Sequence, residues 1–154
     1  MNKTPKVLFL SRGNASRGQI AEGFLRTLAR DRIIPASAGT EAAAVSPLAM
    51  EVMSEVGIDI STQQPREIPS LFKDTFHYVV TLCDEPREHH PIFPFSRNII
   101  AWSVSDPEVA TGDGDARKEV FRQVRDQIRS RVEELIETVN QPDSAFARVQ
   151  GKAA

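Results

Sequence analysis

At 154 residues and 17.1 kDa the chain is long enough to bury roughly 68–70% of its extended surface, so it needs no disulfide to hold a core. Its single cysteine, Cys83, excludes an intramolecular bridge, and no apolar run follows Met1, so a cytoplasmic protein with no membrane partner is expected. A net charge of -2 and a pI near 5.9 exclude a general nucleic-acid surface, which leaves any anion binding to a local site.

In chain order, the first signal is Val7-Leu8-Phe9-Leu10, a continuous apolar run that predicts a strand buried on both faces. It runs straight into a Gly-containing loop, Ser11 to Gly18. From Gln19 the period changes, and Ile20, Phe24, Leu25 and Leu28 mark one face of a helix to about Arg30. A short strand follows over Ile33 to Ala38, and Gly39 turns the chain. Ser46-Pro47 supplies a capping hydroxyl and a first-turn proline for a second helix, which carries Leu48, Val52, Met53 and Val56 and ends at Gly57. A short helix is expected at Ile68 to Phe72.

The β-branched and aromatic segment Phe76 to Leu82 predicts a third strand, which leaves Cys83-Asp84 at its carboxyl end. Pro86, Pro91 and Pro94 keep the next stretch irregular before a fourth strand at Ile99 to Trp102, with Asp106-Pro107 in the loop beyond. A long amphipathic helix runs from about Asp115 to Val139, burying Val120, Phe121, Val124, Ile128, Val132, Leu135 and Ile136. The expected architecture is a three-layer α/β domain over 1–140, a four-stranded parallel sheet flanked by helices, with a disordered tail over 141–154.

In such sheets ligands bind beyond the carboxyl ends of the strands, where Ser11 to Arg17, Cys83 and Asp106 all fall. The loop Ser11, Arg12, Gly13, Asn14, Ala15, Ser16 and Arg17 feeds a helix N-terminus, so its backbone N–H groups can turn inward on an anion while Arg17 adds a two-pronged contact. By spacing alone the same residues also describe a plain solvated turn. Cys83 is a candidate redox thiol or a small buried hydrophobe. Cys83 with His89 and His90 matches no common closed metal site, and no metal or cofactor is expected.

The stretch VLFLSRGNASRGQIAEGFLR resembles the signature of the low-molecular-weight tyrosine phosphatase fold, and in particular its arsenate reductase branch. SAGTEAAAVSPLAMEVMSEVGIDIS, YVVTLCDEP, HPIFP, WSVSDP and FRQVRDQIRSRVEELI are similar to the reductases in the same order. The resemblance implies an oxyanion ligand, namely arsenate, phosphate or sulfate, with Asp106 as a general acid and thioredoxin or a small thiol as partner to any active form. Asp106-Pro107 is followed by Glu108 where the phosphatase branch has an aromatic residue.

It also implies departures. The family's loop nucleophile is a thiolate, and here that position is Ser11, whose hydroxyl has a far higher pKa and cannot carry electrons. Gly18 stands where a serine usually supports the thiolate. Cys83 matches the first relay cysteine, and His90 stands about where the second belongs. Asn14, Glu22 and Ser37 resemble potassium ligands, with Arg66 at the place of a fourth, acidic one, so no potassium is expected. Three readings follow: a non-catalytic oxyanion-binding relative, a Cys-to-Ser variant of an active arsenate reductase, and a phosphatase homologue or module that docks on a phosphorylated partner.

Overall fold

The computed structural model describes residues 4–41, 43–84, 93, 96 and 98–140. The tail from Gln141, the prolines 86, 91 and 94, and the histidines at 89 and 90 lie outside them. Four strands, β1 (Lys6–Ser11), β2 (Ile34–Gly39), β3 (Tyr78–Cys83) and β4 (Ile99–Ser103), form one all-parallel sheet in the order β2-β1-β3-β4. The helices are α1 (Arg17–Ala29), α2 (Pro47–Ser54) and α3 (Gly114–Asn140).

β1 forms because Val7, Leu8, Phe9 and Leu10 are each 0% exposed, as the apolar run requires of a central parallel strand. Its side chains alternate between two clusters. Val7 and Phe9 face the core made by α1, α2 and α3, while Leu8 and Leu10 face Ile68, Leu71, Phe76 and Phe93. Full burial of each such side chain contributes about 1.5–3 kcal/mol relative to exposure. The chain leaves β1 on one side to form β2 and returns on the other to form β3. That reversal opens a crevice at the carboxyl end of β1, where Ser11 lies.

The differences from expectation sit at element ends. α1 begins at Arg17, two residues early, because the loop closes directly onto its first turn. α2 ends at Ser54, before Gly57, since its last turn tightens, with Val56 N–H donating to Met53 and Gly57 N–H to Ser54. The segment at Ile68–Leu71 is a 3-10 turn, and Arg30–Arg32 and Pro107–Val109 form two further ones. Among the described residues no helix is long and apolar enough to cross a membrane.

Candidate functional site

Ser11 ends β1, and the next five residues make the turn into α1. The loop's shape follows from where its carbonyls go. Those of Arg12, Gly13 and Ala15 accept hydrogen bonds from the amides of Glu41 (3.2 Å), Ala43 (3.2 Å) and Ser46 (2.9 Å), and Thr40 Oγ1 adds a second donor to Arg12 (2.8 Å). In a trans peptide the following N–H points the opposite way, so the amides of Gly13, Asn14 and Ser16 turn towards the loop's interior. Asn14 sits at φ 52, a left-handed conformation that asparagine tolerates and that makes such a run of amides concave.

Ser16 is the N-cap of α1 yet makes no side-chain cap; its hydroxyl donates instead to Glu108 Oε1 at 2.5 Å. The first-turn amides of α1 are thus not taken up by their own cap. The far wall comes from the chain after β4. Asp106 Oδ1 accepts from Glu108 N–H (3.0 Å), which fixes the 3-10 turn at Pro107–Val109. Arg17 is 3% exposed, a cost that its contacts offset: Nη1 donates to the Val104 carbonyl at 3.1 Å and Nη2 lies 3.7 Å from Asp106 Oδ2.

Ser11, Gly13, Asn14, Ala15, Ser16, Arg17, Asp106 and Glu108 together line a pocket of about 40 Å³. That space suits a few waters or a small tetrahedral ion. Ser11 and Asn14 are each 1% exposed, and Ser11 Oγ, Asn14 Nδ2 and Asn14 Oδ1 have no hydrogen-bond partner among the described residues. Buried polar atoms left so are costly, which points to a ligand that completes them.

Behind the loop, Glu22 is 7% exposed and accepts from Ser37 Oγ at 2.6 Å and from the Arg26 guanidinium. The cation that answers Glu22 is therefore Arg26, one helical turn along α1, rather than Arg66. Arg66 lines a separate surface groove with Glu67, Ser70 and Asp74.

Of the residues singled out in the sequence, the structure gathers Ser11, Gly13 to Arg17 and Asp106 at one pocket. Arg12 is exposed and does not line it. Cys83 ends the neighbouring strand, is 1% exposed, and is also absent from the lining. Among the described residues no three His, Cys, Asp or Glu side chains gather to hold a metal. Sequence reasoning missed Glu108 as a site residue, although its place directly after Asp-Pro was the signal. It also missed the Val104 carbonyl, which no side-chain pattern could reveal.

The model of the family described as low molecular weight phosphotyrosine protein phosphatase matches residues 6–145. The chain belongs to the low molecular weight phosphotyrosine protein phosphatase family. Within that family it is 38% identical over 138 residues to an arsenate reductase of Halalkalibacterium halodurans, covering 90% of this chain and 99% of that one. It is also 38% identical over 135 residues to a glutaredoxin arsenate reductase of Synechocystis sp., covering 88% and 98%. A solved arsenate reductase in the phosphate binding state is 36% identical with a TM-score of 0.75, covering 87% of this chain and 98% of that one. The sheet order β2-β1-β3-β4 and the loop at the end of β1 are the frame on which this pocket is built.

Proposed function

We propose that this chain is an oxyanion-binding member of the family, taking arsenate or phosphate on the loop Ser11 to Arg17, and that as it stands it neither reduces arsenate nor hydrolyses aryl phosphates. The observation that carries the reading is the meeting, in one small pocket, of the unpartnered buried Ser11 Oγ and Asn14 amide with the Arg17 guanidinium. A hydroxyl at the position the family gives to its nucleophilic thiol accounts for the missing chemistry. Arsenate reduction needs sulfur to pass electrons, and the chain has one cysteine, which leaves no internal disulfide relay.

Thermal unfolding tests the binding. Phosphate or arsenate should raise Tm with concentration, since a ligand held only by the folded state stabilises it by RT ln(1 + [L]/Kd). Arg17→Ala should abolish that rise; a wild-type Tm that stays flat at about 10 mM anion or more defeats the reading. Restoring the thiol as Ser11→Cys tests the chemistry. The thiol at a helix N-terminus should be acidified and should return part of an aryl phosphatase activity, whereas full reductase turnover from this one change would favour the Cys-to-Ser variant reading instead.

A further inference from the structure

The side-chain charge of the pocket is the wrong sign for an ordinary anion site. Among the described residues its lining holds one guanidinium, Arg17, against two carboxylates, Asp106 and Glu108. Both oxygens of Asp106 are engaged, one by the Glu108 amide and the other facing Arg17. Glu108 is exposed, but it is tied to the loop itself through Ser16 Oγ, which holds its carboxylate at the rim of the pocket.

A tetrahedral anion seated on the loop amides must bring an oxygen towards that carboxylate. If the anion is fully deprotonated, two acceptors meet with no hydrogen between them, and the contact is repulsive. If it keeps a proton, it donates a hydrogen bond and the contact is attractive. Hydrogen phosphate and hydrogen arsenate carry such a proton near neutral pH. Sulfate and selenate have the same shape and the same double charge but carry none.

We propose that Glu108 makes this pocket selective for oxyanions that retain an ionisable proton, phosphate and arsenate, over the fully deprotonated sulfate and selenate, by accepting that proton's hydrogen bond. The proposal rests on the oxyanion-site reading above. It accounts for the Glu108 carboxylate at a site whose amides and arginine favour negative charge.

Calorimetric titration of the full chain near neutral pH, at matched ionic strength, tests it with two size-matched pairs: sodium phosphate against sodium sulfate, and sodium arsenate against sodium selenate. The protonated member of each pair should bind about ten- to a hundredfold tighter, the range of one hydrogen bond to a charged group. Glu108→Gln, whose amide can donate to a bare oxygen, should close most of that gap by tightening sulfate and selenate. Equal binding of the paired anions by the wild type overturns the selectivity and leaves the site standing. Discrimination that persists in Glu108→Gln overturns the role of Glu108. If none of the four anions binds either protein, the oxyanion reading itself falls, and this proposal with it.

Discussion

A methyl group on Gly39 would lie 2.8 Å from the carbonyl oxygens of Ser11 and Arg12 and 2.9 Å from the Asn14 nitrogen. All three are backbone atoms of the anion loop, so no side chain can swing aside to make room. Gly39→Ala should therefore push the loop off β2, costing about 1–3 kcal/mol in denaturant unfolding and shrinking the phosphate-dependent rise in Tm. A stable variant with undiminished anion response would show that the loop is not held this way. Gly18 presents a different balance. A β-carbon there meets Asn14 Oδ1 at 2.5 Å and Ser11 Oγ at 3.0 Å, so the Asn14 amide occupies the place a Gly18 side chain would take. The family resemblance implies a serine at the Gly18 position as support for a thiol; the geometry adds that Asn14 must turn away before any side chain fits there.

At the scale of elements, α2 and α3 are joined by charge as well as by apolar packing. Glu55, just past α2, accepts from Arg122 (2.8 Å) and Arg125 (2.9 Å), and Lys118 lies 3.8 Å away. The Arg122 hydrogen bond is the largest cause that lowers the Glu55 pKa from 4.5 to about 2; desolvation, the next largest, opposes it, and Arg125 and Lys118 add to the lowering. Because the folded value lies below the unfolded one, the stabilisation is complete above pH 4.5 and disappears as pH falls towards about 2. Glu55→Gln should thus be less stable than wild type at neutral pH and converge with it near pH 2, and the gap should narrow in high salt because the network is exposed. A gap that does not change with pH would remove Glu55 as its source. The apolar stripe of α3 was legible from Phe121, Val124, Ile128, Val132 and Leu135, but Arg125 was not. It falls within that stripe and is 9% exposed, its Nη1 donating to the Val52 carbonyl, yet an arginine read alone is taken for a solvated charge.

For the molecule as a whole, the order of the strands in the sheet was not read from the sequence, whereas the four parallel strands were readable because β1 and β3 are short apolar runs and helical periods lie between strands. Half of the pocket was readable for the same reason, since one contiguous loop supplies it. In the other wall Asp106 was readable from its Asp-Pro pair and the family resemblance, but Glu108 was not, because its bond from Ser16 spans 92 residues and depends on how β4 ends. Cys83 gives a probe of this assembly. At 1% exposure its thiol should react with an aromatic disulfide reagent only through opening of the sheet, so modification should be slow in buffer and accelerate through the denaturant transition. Fast reaction in buffer would mean that the carboxyl end of β3 opens locally. The position of β1 has one more consequence, which concerns synthesis. Its two neighbours in the sheet, β2 and β3, and the pocket wall at Asp106 and Glu108 all come later in the chain. At about 5–20 residues per second, roughly 5–20 s separate the emergence of Ser11 from that of Glu108. Through that interval the apolar run Val7 to Leu10 of β1 lacks at least part of its cover. No anion can be clasped by both walls until most of the chain has left the ribosome.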